Sequence, residues 1–257
     1  MNNLEILQEK NDIEKENELL TPNSEIKDSI LQSMNEFFEH DNVWNAIITA
    51  GEMALLGIDV KKNLNDGMVG KMRDLLAGLR KKLKDNNNPD DYIDLARTVY
   101  RLKNIGIDFP DLNKEEVEKL RTLPELIRQT PDWSISHLAY IPQIAAAINE
   151  DYNLLKHPGD ADLVEKYSEK DILENQNSDK QFSSMIICGG LLAKFDADDT
   201  KELLESEAWK NGKSWTEILN YFEKLKREKN GYFLSRLLPP MQSLIKFKNN
   251  FSTSTTS

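Results

Sequence analysis

The tripeptide Gly-Ile-Asp occurs at residues 57–59 and again at 106–108, 49 positions later. Superposing the two copies and deleting one residue brings Leu64 onto Leu112, Asn65 onto Asn113, Val69 onto Val117 and Leu75 onto Leu123. The basic residues follow. Lys71 meets Lys119, Arg73 meets Arg121 and Arg80 meets Arg128, and upstream Thr49 is the counterpart of Thr98. Each copy reads as a helix that ends, a glycine in the left-handed C-cap conformation, an isoleucine that plugs the turn, and an Asn or Asp that caps the next helix. Such a hairpin cannot bury its own apolar face and needs a neighbour of the same kind. A period of about 40–50 residues therefore predicts an all-α fold of stacked antiparallel helical hairpins, either a HEAT/armadillo-like right-handed α-α superhelix or an irregular helical bundle. Repeat-like units are expected at about 44–84 and 93–129, with a fainter third near 179–210, carried by Leu191–Leu204.

The remaining local signals agree with helices. Asn88-Pro89-Asp90-Asp91 puts an N-cap, a first-turn proline and acidic residues in order. Asn113 with Glu116, Ser178 with Gln181, Asp199 with Glu202, and Ser214 with Glu217 have capping-box spacing. Apolar stripes of helical period run through Val69, Met72, Leu76, Leu79 and Leu83, through Tyr92, Leu95, Ala96, Val99, Leu102 and Ile105, and through Trp215, Ile218, Leu219, Phe222 and Leu225. Helices are predicted near 4–19, 25–40, 43–56, 67–84, 90–105, 114–128, 134–156, 161–175, 179–194, 200–210, 215–229 and 232–248. Pro124, Pro142 and the pair Pro239-Pro240 are expected to kink or split theirs.

Charge divides the chain. Its formal net charge is −11, which argues against general binding to nucleic acid or anionic membrane. Residues 1–40 hold ten Asp/Glu and three Lys, whereas 213–257 hold eight Lys/Arg and three Glu. Three parts are expected: an acidic N-terminal arm, 1–22, either mobile or docked on a basic surface; a helical repeat domain, 23–250; and a disordered tail, 251–257. The single cysteine, Cys188, rules out an intrachain disulfide and a Cys-rich zinc site. The N-terminus has no secretory pattern, and the most apolar window, Met185–Phe195, is too short to span a bilayer. A cytoplasmic protein is expected, with export by a signal-peptide-independent route left open. The Lys-, Asn-, Ile- and Glu-rich style suits an intracellular bacterium or a phage, so a bacterial effector or an effector regulator is one expectation.

Signals for catalysis are weak. His40, His137 and His157 have no second histidine at helical spacing, and Cys188 lies in the most apolar helix. No nucleophile elbow, phosphate loop or dinucleotide fingerprint is present. Gly189-Gly190 reads as a close helix contact. Asp196, Asp198, Thr200 and Glu207 occupy calcium-loop positions, but Lys201 stands where that loop needs glycine, so an acidic helix start is the better reading. No cofactor and no metal are expected. Glu150 and Asp151 are the acids to check for an enzyme with a carboxylate-based site between helices.

Binding signals are clearer. Lys61, Lys62, Lys71, Arg73, Arg80, Lys81, Lys82 and Lys84 form a basic run with few acids, a candidate partner-binding face. Trp44, Trp133, Trp209 and Trp215 sit near helix ends as core residues or partner anchors. Residues 44–105 also resemble the N-terminal helical domain of transcription elongation factor S-II. The resemblance is carried by Leu64, Val69, Gly70, Lys71, Leu79, Arg80 and Lys81, then by Leu95, Ala96 and Lys103. Met68 replaces that family's Arg, Leu102 its late Trp, and the helix holds about three extra residues. The resemblance implies a small bundle that docks short acidic-hydrophobic motifs of transcription regulators.

These observations point to a non-catalytic protein-binding scaffold or adaptor with a protein partner and no membrane attachment. The alternatives are a transcription-associated or nucleic-acid-linked docking module and the carboxylate enzyme.

Overall fold

The computed structural model describes residues 3–85, 88–129, 140–157, 159–160, 179–195 and 197–254. Among the described residues every regular element is helical: α1 (Asn3–Leu20), α2 (Ser24–Glu39), α3 (Val43–Leu55), α4 (Asp66–Asp85), α5 (Pro89–Ile105), α6 (Lys114–Gln129), α7 (Ile141–Ala147), α8 (Asp179–Phe195), α9 (Ala197–Glu205), α10 (Glu207–Lys210), α11 (Trp215–Arg227) and α12 (Gly231–Ser254). Short 3-10 turns cover Val60–Asn63 and Tyr152–Leu154. No described helix is long and apolar enough to cross a membrane. The chain divides into two compact units: Met1–Gln32 with Ser168–Ser257, and Ser33–Tyr167.

The second unit holds both Gly-Ile-Asp turns. Gly57 and Gly106 both take left-handed backbone, with φ of 73° and 76°. In each turn the amide after the glycine reaches five residues back, Ile58 to the Met53 carbonyl (3.1 Å) and Ile107 to that of Leu102 (3.0 Å). The glycine amides donate to Ala54 and Lys103. Both are Schellman caps, which satisfy carbonyls the helix end would orphan. The next helices also start alike: the Asn65 side chain accepts from Met68 N–H (2.9 Å), and Asn113 and Glu116 form a reciprocal capping box.

A third turn of this geometry lies at Asn149–Asp151. Asn149 has φ 58°, its amide donates to Ala146, and Glu150 N–H donates to the Ala145 carbonyl. A 3-10 turn follows, as it does after Gly57. The helix expected over 134–156 is therefore only Ile141–Ala147 in its described part, because Asn149 ends it. Asn ranks next to glycine at this position, so the stop was readable only by someone expecting it.

The hub of the unit is α5, which packs on α3, α4, α6 and α7; α3 also pairs with α4, and α6 with α7. Gly51 lets α3 approach α5: a Cβ there would lie 2.6 Å from Arg101 Cγ. The Arg101 guanidinium then donates to Glu52 Oε1 at 3.0 Å in a nearly buried ion pair. These partners stand 49 residues apart, the same separation as the two Gly-Ile-Asp turns.

In the other unit α8 crosses α12 at Gly189-Gly190. A Cβ on Gly190 would sit 2.0 Å from the Pro240 carbonyl oxygen, and one on Gly189 would meet the Trp209 ring at 2.9 Å. Met185, Ile186, Cys188 and Leu192 of α8 are buried, as are Leu237, Leu238, Met241 and Leu244 of α12. Neither Pro124 nor the pair Pro239-Pro240 splits its helix. Pro124 and Pro239-Pro240 lie inside continuous helices, and Pro142 sits in the first turn of α7, where its missing N–H costs nothing. Asp199 lies within α9 rather than before it, while Ser206 caps α10 and so divides the helix expected over 200–210. The acidic arm is helix α1, packed on α11 and α12. The helix expected at 161–175, the Ser178 cap, Trp133 and His137 lie outside the described residues, as does Asp196 within the expected third repeat.

Two helix-interior glycines should behave oppositely. Gly78→Ala, with open space at its Cβ, is expected to stabilise the chain by about 0.5–1 kcal/mol. Gly190→Ala is expected to destabilise it by at least about 1–3 kcal/mol through overpacking. Urea unfolding of both variants, followed by circular dichroism, checks this.

Candidate partner-binding surface

The eight cations singled out in the sequence lie on α4 and the turn before it. Met72, Leu76, Leu79 and Leu83 bury one face of α4, which turns basic residues outward. Five of the eight are engaged within the chain. Lys61 Nζ donates to the Gly106 carbonyl (3.1 Å) and Arg73 Nε to that of Asp108 (3.0 Å). Arg80 donates to the carbonyls of Pro110 (2.9 Å) and Asp111 (2.8 Å), and its Nε lies 3.1 Å from Glu116. Lys71 donates to the Phe38 carbonyl (3.2 Å) and pairs with Asp41, whose carboxyl its hydrogen bond holds below the ordinary value. Lys62 pairs with Asp59 at 2.9 Å on the surface. Lys81, Lys82 and Lys84 are exposed and make no ion pair among the described residues.

The engaged cations act as clamps. Lys61, Arg73 and Arg80 all hold the turn that ends α5. One repeat later, Lys103 donates to the Ala147 carbonyl and to Asn149 Oδ1, each at 2.7 Å, at the end of α7. Burial among these groups pulls the Lys103 ammonium below its usual value, against the opposing pull of Asp111. Arg121 pairs with Glu150, and Arg128 grips Asp160 with two hydrogen bonds (2.6 and 2.7 Å) and the Leu155 carbonyl (2.6 Å). Burial alone would lower the Arg128 guanidinium; its bonds to Asp160 reverse the sign and raise it. Arg73 and Arg80 on α4 thus do what Arg121 and Arg128 do on α6. The aligned arginine pairs are visible in the sequence, but their targets, carbonyls for Arg73 and Arg80 and chiefly carboxylates for Arg121 and Arg128, lie in loops that no periodicity marks.

The other candidates take structural places. Glu150 supplies its amide to a Schellman cap and its carboxylate to Arg121, and Asp151 caps the following 3-10 turn by accepting from Asn153 N–H (3.0 Å). Asp198 and Thr200 lie in α9, so the described part of the calcium-like stretch is helix rather than loop. Cys188 is buried, His40 is exposed, and His157 Nδ1 accepts from Gly159 N–H (3.1 Å). No cluster of metal-ligating side chains occurs among the described residues. Trp209 closes over Gly189. Trp44 and Tyr140 bracket the Arg97 guanidinium, at 5.3 and 4.3 Å from the ring centres.

Beside that bracket, burial raises the Asp94 carboxyl above its ordinary 3.8, outweighing the pull of Arg97. Comparison with family models, with curated proteins and with solved structures finds no match to this chain.

Because Asp94 has a raised folded pKa, its ionised form opposes folding at neutral pH, and that penalty fades as pH falls through the folded value toward 3.8. Asp94→Asn should therefore be more stable than the wild type at pH 7, with the gap closing near pH 4; melting curves across pH test this. Arg128→Ala strands the buried Asp160 carboxylate and is expected to cost about 3–5 kcal/mol, while Lys82→Ala stays within about 0.5 kcal/mol. Chemical unfolding of the two variants measures both.

Proposed function

We propose that this protein is a non-catalytic scaffold or adaptor that binds a protein partner through a surface of stacked helical hairpins. The observation that carries the reading is the series of turns at Gly57, Gly106 and Asn149, the last two clamped by cations of the preceding hairpin. Serial hairpins of this kind favour HEAT/armadillo-like stacking, which displays an extended surface of exposed helix faces. On α4 that surface offers Lys81, Lys82 and Lys84, three cations with no ion pair among the described residues and suited to an acidic partner segment. The nucleic-acid or transcription-linked alternative would draw on Lys71, Arg80 and Lys81 together, and two of those three are occupied by carbonyls and carboxylates of the same unit. The enzyme reading has lost its leading acids to capping and to Arg121.

The test is affinity capture from host lysate, nuclease-treated, with the wild type and with Lys81→Glu/Lys82→Glu/Lys84→Glu. One protein should be retained by the wild type at moderate salt and lost from the triple variant, whose helicity is unchanged. Equal capture by both, or capture abolished by nuclease, would contradict the adaptor reading.

A further inference from the structure

The unit that contains both chain ends holds a second, separate surface. The start of α11 and the later turns of α12 are covered by α1, with polar contacts along the described side chains. Asp12 accepts from the Thr216 hydroxyl (2.7 Å), and Lys15 donates to Asn220 (2.7 Å). Glu16 Oε1 accepts from Trp215 Nε1 (2.6 Å) and from Lys248 (2.5 Å). Glu18 pairs with Lys226 at 2.8 Å, and Gln242 donates to the carbonyls of Leu19 (2.8 Å) and Leu20 (3.1 Å). The Lys248 ammonium lies 4.5 Å over the Trp215 ring, so one aromatic platform carries both charges of the Glu16–Lys248 pair.

Leu19 is the one buried apolar side chain among the described side chains of α1, while Leu7 and Ile13 are exposed. The fit is also incomplete: a groove of about 520 Å³ remains between Ile13, Asp12 and Glu16 on one side and Trp215, Lys248 and Asn249 on the other. A helix of 18 residues has little stability alone. Its described contacts lean on charge, which salt screens. Only Thr21–Asn23 joins α1 to the next helix.

We propose that the face carrying Trp215, Lys226, Gln242 and Lys248 is a docking surface for an acidic helix of a partner protein, and that α1 is its built-in competitor, displaced when that helix binds. Helix α1 itself carries the complementary pattern: a carboxylate for the Trp215–Lys248 pair, a second carboxylate two residues later for Lys226, and a leucine next to it. This surface is independent of the α4 lysines and stands even if those bind nothing.

The test uses the full chain and a fluorescein-labelled peptide of residues 3–20 as the acidic helix, read by anisotropy at about 50 and about 300 mM salt. Glu16→Lys/Glu18→Lys releases the resident helix, so this variant should bind the peptide at least ~10-fold more tightly than the wild type, whose own α1 competes. Binding should weaken at the higher salt and vanish when Lys226→Glu/Lys248→Glu is added. Equal or absent binding in the folded variant would overturn the proposal. So would self-association of the wild type by exchange of α1, which would make a second copy the occupant. Hydrogen exchange of the wild type guards against misfolded variants. Exchange of α1 should quicken with salt while α11 and α12 stay protected, and exchange of α1 only with global unfolding would overturn the proposal.

Discussion

A helix end leaves four carbonyls without amide partners, and a chain built of short helices meets that problem repeatedly. At five described helix ends it is solved in one way. All five described residues with left-handed backbone, Asp41, Gly57, Gly106, Asn149 and Lys229, follow a helix, and at each the next amide reaches five residues back. In the unit Ser33–Tyr167 several carbonyls after these helix ends are taken by cations from a neighbouring element. A cation at a helix C-terminus also meets the negative end of the helix dipole, so hydrogen bonding and electrostatics act in the same direction. Arg73 and Arg80 reach one turn, and Arg121 and Arg128 the next.

That use of arginine changes how the charge distribution reads. A basic run on an exposed helix suggests a polyanion, but much of this one neutralises the chain's own carbonyl dipoles. The acidic start of the chain has a similar fate, with Glu16 and Glu18 held by Lys248 and Lys226. Segregated charge in the sequence is thus partly a record of internal pairing, and the small remainder, Lys81, Lys82 and Lys84, is what a partner of the α4 surface can meet. The two proposed docking surfaces differ in this respect: one is open lysine, the other is already filled by a carboxylate helix.

The fold class was legible because its signals are local. Caps at Asn88, Asn113 and Ser214 fix three helix starts, and glycine at 57 and 106 fixes two ends. The end at Asn149 was not read, since Asn can also continue a helix and the repeat there shortens from 49 to 43 residues (149 − 106). Proline leaves the choice between a kink and a split open: Pro239 and Pro240 fall where α12 meets Gly190, and α12 runs on through them. The clamps were half legible. Arg80 and Arg128 align in the sequence, but side chains that bond to loop carbonyls thirty residues away leave no periodic trace, so the run looked like an open binding face. The α1 contact was anticipated only as a choice between a mobile arm and a docked helix, because charge complementarity does not say which of two basic regions is used.

The most direct measurement is native-state hydrogen exchange at the amides of Ile58, Ile107 and Glu150 in the wild type and in Arg73→Ala/Arg80→Ala. These amides form the far-reaching bonds of the three caps. If cations of one hairpin hold the turn of the next, Ile107 should lose protection by at least ~10-fold while Ile58 and Glu150 keep theirs. Unchanged protection at Ile107, or equal loss at all three, would contradict the clamp as the element that orders the repeats.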